Sequence, residues 1–155
     1  MSSLVELVRS ARLDGNLTPL IAAIPYARFL GLSAELSAGE LIGKLSFAPH
    51  LVGNPLLPAL HGGTVGALLE STAIFTLLMK TETLRVPKTI TITVEYLRSG
   101  RPKDTFARAE FTRLGRRIAS VRALAWQDDA TRPIAAANAS FLLAPVPEEP
   151  AAASD

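Results

Sequence analysis

Apolar positions along this chain follow two patterns, and the change between them marks out the elements. From Thr64 to Met79 they are almost continuous: Val65, Ala67, Leu68, Leu69, Ala73, Ile74, Phe75, Leu77, Leu78 and Met79. This run predicts one long helix over 62–80, apolar all round, which belongs inside a protein or a membrane. Thr89–Leu97 alternates instead. Ile90, Ile92, Val94 and Tyr96 form one face, and Thr89, Thr91, Thr93 and Glu95 the other, which predicts a half-buried strand. Further strands are expected over 106–114, 118–127 and 134–143. The turns between them are Ser99–Lys103, Gly115-Arg116 and Asp128-Asp129. Earlier in the chain, 34–37 and 40–47 read as a hairpin about Ala38-Gly39, with Leu41, Gly43, Leu45 and Phe47 on one face. Residues 3–13 read as an amphipathic helix with Ser3 as N-cap. A second short helix is expected near 18–23, interrupted by Pro25. Pro49 to Pro58 reads as a loop.

One long helix and five or six strands give an α+β chain whose last four strands form an antiparallel meander. A helix buried on all faces needs a sheet curled around it, a second subunit, or both. The chain divides into a helical extension (1–30), one domain (31–144) and a Pro- and Ala-rich tail (145–155) expected to be disordered.

Composition narrows the chemistry. The chain has no cysteine, which excludes disulfides, thiolate metal sites and a cysteine nucleophile. Two histidines make a zinc site a poor fit. The N-terminus MSSLVELVRS lacks a cationic segment followed by an apolar run, so a cytoplasmic protein is expected. A membrane-spanning helix needs about 20 apolar residues. The run here is shorter, and Glu70 sits near its centre, where an ionised carboxylate costs roughly 2.5 kcal/mol or more. A core helix is the better reading. From Arg85 to Arg122 there are ten Lys/Arg against three acids, which suggests an anionic partner. Nucleic acid is disfavoured, because the strands carry few aromatics to stack bases and no recognition helix is evident.

Glu70 is the one formally charged residue between Lys44 and Lys80. A carboxylate in an apolar helix needs a partner or a purpose, since burying it alone is costly. Small neighbours, Gly66, Ala67 and Ala73, leave room beside it, and such a group suits general-base or nucleophilic work. At the start of the helix, Gly62 and Gly63 expose backbone N–H groups at the positive end of the macrodipole, a place for an anion or for a carbonyl oxygen gaining charge. His61 and Glu70 are nine residues apart, about 13.5 Å along a helix and on opposite faces. One helix therefore cannot bring its own Glu70 to its own N-terminus. Two antiparallel copies would give two composite sites per dimer.

HGGTVGALLESTA (61–73) resembles the HGG signature and following acid of hotdog-fold acyl-CoA thioesterases, particularly the phenylacetate-pathway-like group. TITVEYLRSG (91–100), RLGRRIASVRALAWQDD (113–129) and IAAANASFLL (134–143) resemble that group's third-strand motif, Gly-Arg hairpin and closing strand. The resemblance implies a hotdog fold, with a curled antiparallel sheet wrapping the long helix, and hydrolysis of an acyl- or aryl-CoA thioester. It implies that Gly62 polarises the thioester carbonyl through its N–H, that His61 shapes this turn, and that Glu70 is general base or nucleophile. Asn54 resembles an upstream Asn that orients the thioester or water. Gly63, His50, Ser71 and Ile74 would line the substrate site. Arg98, Arg101, Lys103, Arg113, Arg116 and Arg117 become candidates for the coenzyme A phosphates. No metal or organic cofactor is implied. The partner is a second copy of the chain, in a homodimer or a homotetramer built as a dimer of dimers.

Two other readings compete. HLVGNPLLP (50–58) resembles the loop of hotdog hydroxyacyl-thioester dehydratases, in which the loop histidine works with a helix acid. Here the acid lies twenty residues beyond His50, and the intervening HGG favours hydrolysis. The other reading is a non-catalytic acyl-CoA-binding member of the fold, against which Glu70 argues.

Overall fold

A computed structural model describes residues 2–144; the expected disorder of 145–155 lies outside the described residues. Three helices, α1 (Leu4–Asp14), α2 (Thr18–Ala22) and α3 (Pro25–Leu30), lead into strands β1 (Leu32–Ser37) and β2 (Glu40–Leu45). A small hairpin of β3 (Val52–Asn54) and β4 (Ala59–Leu60) precedes the long helix α4 (Gly62–Lys80). Strands β5 (Lys88–Tyr96), β6 (Thr105–Leu114), β7 (Ile118–Trp126) and β8 (Ala135–Leu142) complete the chain. The main sheet is antiparallel throughout, in the order β1-β2-β6-β7-β8-β5. It curls around α4, giving the α+β hotdog architecture.

Residue size explains how closely the helix sits. Ala107, Ala123, Ala125, Ala135, Ala137 and Ala139 are all buried beneath it, while α4 contributes Val65, Leu68, Leu69, Phe75, Leu77 and Leu78. Large side chains on the helix thus meet small ones on the sheet, which fills space without overpacking. The approach is tight at Gly43 of β2, where a Cβ would lie 2.2 Å from Thr72 Oγ1. The helical extension joins the same core through Val8, Leu17, Leu20 and Ile21. A capping box between Ser3 and Glu6 starts α1. At its far end the Arg12 guanidinium donates to the Leu78 carbonyl (2.7 Å) and to the Thr83 carbonyl, docking α1 on the C-terminus of α4.

Four expectations change. Pro25 does not break a helix but opens α3 from its first turn, where its missing N–H has no consequence. The loop 49–58 contains β3, which pairs with β4. Helix α4 is not enclosed on every face: Gly66, Ala67, Glu70, Ser71 and Ile74 form a half-buried stripe that the chain's own sheet leaves partly uncovered. By length and composition α4 could cross a membrane, yet its other faces pack on the sheet. Finally, the alternation of β5 is interrupted. Thr89 pairs with Phe141 and Thr91 with Ser140, so Ile90 is an extra residue in a β-bulge and stands 51% exposed.

Candidate active site

The start of α4 is built by its own first residues together with β3, β5 and Leu51. His61 is the N-cap, with extended φ, ψ of −62° and 129°, and its Nδ1 accepts the Gly63 N–H at 2.8 Å. Its own N–H donates to the Leu51 carbonyl, which fixes the entry of the chain. Among the described residues nothing accepts the Gly62 N–H, so that donor is available at the positive end of the helix. Tyr96 O–H donates to the Gly62 carbonyl at 2.7 Å, and the ring lies so close that a Cβ on Gly62 would meet its Cζ at 3.1 Å. From the other side β3 presses on His61: a Cβ on Gly53 would meet His61 Cα at 2.7 Å. Close packing therefore fixes the turn, and glycine is required at 53 by a near backbone neighbour.

A cavity of about 400 Å³ opens at this turn, lined by Gly62, Val65, Tyr96, Arg98, Gly100 and Ile134. A second cavity of about 500 Å³ adjoins it, sharing Arg98, Ser99, Gly100 and Ile134 and adding Arg101, Asp128, Asp129 and Arg132. Together they run from the helix N-terminus to a charged rim. At that rim Asp129 is held below the usual carboxylate range, first by the Thr131 hydroxyl and then by the Thr131 N–H. Asp128 is paired with Lys103 at 2.5 Å.

Glu70 lies eight residues into α4, about 12 Å along the axis from Gly62. It is half-buried and accepts a hydrogen bond from Thr89 Oγ1 at 2.5 Å. Among the described residues no cation pairs with it. Thr89 reaches it from β5 because of the bulge at Ile90. Reacting atoms must come within about 3.5 Å, so the Gly62 N–H and the Glu70 carboxylate of one chain cannot serve the same carbonyl. Among the described residues no three His, Asp or Glu side chains gather as metal ligands.

A donor-bearing helix end, an adjoining groove and an acid unpaired with any cation among the described residues are features that acyl-transfer chemistry can use. Comparison with known proteins decides the family. A model described as the acyl-CoA thioesterase N-terminal domain matches residues 54–142. The chain belongs to the acyl-CoA thioesterase family. It is 27% identical to the medium/long-chain acyl-CoA thioesterase YigI of Salmonella typhimurium, over 92% of this chain and 99% of that protein. A crystal structure of a Chromobacterium violaceum protein is 38% identical, covers 90% of this chain and 97% of that one, and superposes with a TM-score of 0.73. A Streptococcus mutans protein solved with acetyl-CoA shares the fold at 16% identity, with a TM-score of 0.63 over 74% of this chain and 89% of that one.

For this thioesterase the remaining candidate residues fall into separate places. Asn54 lies on β3, next to Gly53, and its Oδ1 accepts the Leu56 N–H at 3.1 Å. His50 makes a 2.9 Å hydrogen bond between its Nε2 and the Phe29 carbonyl, with its ring against Phe29, and does not line the cavity at the Gly62 turn. Ser71 and Ile74 share the half-buried stripe with Glu70. Arg98 and Arg101 line the grooves. The Arg98 guanidinium donates to the Pro133 carbonyl, and the Arg101 N–H to Gln127 Oε1. Arg113, Arg116 and Arg117 lie at the opposite end of the sheet, where Ile118 and Lys88 flank Leu142. Tyr96, Gly53 and Thr89 were not among the expected site residues. Tyr96 could have been found from its place on the inward face of β5. Gly53 and Thr89 carry no such signal.

Proposed function

We propose that this thioesterase hydrolyses medium- to long-chain acyl-CoA at a site shared by two copies of the chain. The acyl carbonyl would lie at the start of α4, with developing negative charge on its oxygen met by the Gly62 N–H and the helix dipole. Glu70 of the second copy would activate water to attack the carbonyl and expel the CoA thiolate, or would itself attack and expel that thiolate, forming a mixed anhydride that water then hydrolyses. The observation that carries this reading is the placement of Glu70: a carboxylate with no cation partner among the described residues, on the one stripe of α4 that its own sheet leaves partly open.

The stripe also suggests how two copies meet. Residue 66 is midway between 62 and 70. An antiparallel pair of α4 helices related by a two-fold axis near Gly66 sets Glu70 of each opposite Gly62 of the other. Gly63, Gly66 and Ala67 allow close helix approach. Strand β5 is an edge of the sheet beside this stripe, so both features lie on one surface. A dimer on this surface is the minimal active unit, and a tetramer would be a pair of such dimers.

Coenzyme A would run along the joined grooves, its thioester at Gly62 and its phosphates toward Arg98 and Arg101. Lys103, engaged by Asp128, is a weaker candidate. The acyl preference follows the YigI relatives and the apolar character of the stripe. No step is assigned to a metal or an organic cofactor.

Release of free thiol from a panel of acyl-CoA substrates tests this. Glu70→Gln is expected to lower kcat by roughly 100-fold or more while leaving the oligomeric state unchanged. Full thiol release by that variant would remove Glu70 from the mechanism. Hydration of an enoyl-CoA without thiol release would favour the dehydratase reading. In single-turnover labelling with oxygen-18 water, label found in the protein would show that the carboxylate had attacked and that water then opened the anhydride at the Glu70 carbonyl.

A further inference from the structure

We propose that Thr89 is a positioning residue for Glu70, and that the β-bulge at Ile90 is what aims it. This rests on reading Glu70 as the reactive acid. Along β5 the residues turned toward α4 are Tyr96, Val94 and Ile92, with Tyr96 bonded to Gly62 and Val94 next to Gly66. Strict alternation would continue with Ile90 inward and Thr89 outward. The bulge adds one residue, sends Ile90 to the surface and returns Thr89 to the inner side. There its hydroxyl donates to Glu70 Oε1 at 2.5 Å. One strand thus holds both parts of the half-sites on α4: Tyr96 fixes the carbonyl-binding turn and Thr89 fixes the acid.

The chemistry of this partner fits the task. A glutamate on a half-exposed helix face has three rotatable side-chain torsions and would otherwise sample several rotamers. Fixing one carboxylate oxygen orients the other, and among the described residues Oε2 has no hydrogen-bond partner. An arginine or lysine would hold the group as firmly but would neutralise the charge that a base or nucleophile needs. A hydroxyl orients it and leaves it anionic. Preorganisation of this kind acts on the chemical step more than on substrate binding.

Steady-state hydrolysis of decanoyl-CoA distinguishes positioning from mere packing. Thr89→Val keeps the shape and the strand preference and removes only the hydroxyl. It is expected to lower kcat roughly 10-fold, the order for one hydrogen bond to a charged group, with KM changed by less than about twofold. Thr89→Ser, which restores the hydroxyl, is expected to keep kcat within about twofold of the parent. Thr89→Ala cannot overpack and gives the same reading if the valine variant folds poorly. Wild-type kcat in the valine or alanine variant, an effect on KM alone, or equal loss in the serine variant would each overturn the proposal. Glu70→Gln measured alongside separates the two layers. An active Glu70→Gln enzyme would sink the reading of Glu70, whereas an inactive one together with an unimpaired Thr89→Val would sink only the role of Thr89.

Discussion

At the scale of single residues, the glycines of the HGG region differ in what they accommodate. A Cβ at Gly53 would press on the Cα and Cβ of His61 at 2.7 and 2.8 Å, groups fixed by the start of α4. A Cβ at Gly62 would meet only the exposed ring of Tyr96, at 3.1 Å, which can swing aside. Gly53→Ala is therefore expected to damage the site more than Gly62→Ala, although position 53 lies outside the HGG. Either β3 or His61 must move, and His61 then loses its bond to the Gly63 N–H. We expect Gly53→Ala to cost about 1–3 kcal/mol of stability and to lower kcat/KM roughly 10-fold. Chemical denaturation and thiol-release kinetics on both alanine variants check the order; equal effects would show that the 53–61 contact does not hold the turn. His61, Gly62 and Glu70 stand out in the sequence because their chemistry is anomalous in place: a histidine and two glycines before an apolar run, and one acid within it. Gly53, Tyr96 and Thr89 do not. Each matters through a neighbour distant in sequence, and only Tyr96, on the inward face of β5, is marked by a local pattern.

At the scale of elements, the pattern of apolar positions reveals most of the fold, because the main strands bury one side while α4 buries all but one stripe. The departures are local and have physical causes. Pro25 is acceptable at a first helical turn, so a proline between two apolar segments marks the start of α3 as readily as the end of α2. The hairpin β3–β4 is only three and two residues long, too short to show alternation. The bulge at Ile90 inverts the face of Thr89, and nothing in KTITITVEY signals it, since every residue from Thr89 to Val94 is a good strand former. The contact of β2 with α4 is where sequence pattern and packing agree most closely. Gly43 occupies an inward position between Leu41 and Leu45, and only a hydrogen there clears Thr72 Oγ1. Gly43→Ala is expected to destabilise the chain by about 1–3 kcal/mol through overpacking. Thr72 Oγ1 is already buried without a hydrogen-bond partner among the described residues. Combining Gly43→Ala with Thr72→Ala should therefore recover much of the loss, and a double-mutant cycle by thermal or denaturant unfolding measures the coupling. Additive losses would show that the strand, rather than the helix side chain, absorbs the strain.

At the scale of the whole molecule, the question is whether one chain or two make a site, and the order of parts along α4 permits a direct test. Gly62 is the first residue of the helix and follows His61, whose extended backbone suits a residue before proline. Proline is favoured at a first helical position and has no N–H. Gly62→Pro therefore removes the proposed carbonyl donor while preserving the helix start, and Gly62→Ala controls for the contact with Tyr96. Alone, Gly62→Pro and Glu70→Gln should each be nearly inactive. In a mixed dimer with a shared site, one of the two sites takes Gly62 from the Glu70→Gln subunit and Glu70 from the Gly62→Pro subunit, so it is intact. The other site carries both lesions. Random pairing of equal amounts makes half of the dimers mixed, so co-expression or joint refolding should restore about one quarter of wild-type activity, as two-fold symmetry requires. If each chain held a complete site, every site in every mixture would carry a lesion and activity would stay at the level of the single variants. The same preparation examined by differently tagged subunits confirms that mixed dimers form. Mixed dimers without recovered activity would refute the shared site, since the separation of Gly62 and Glu70 along α4 leaves an active thioesterase no other way to bring both to one carbonyl.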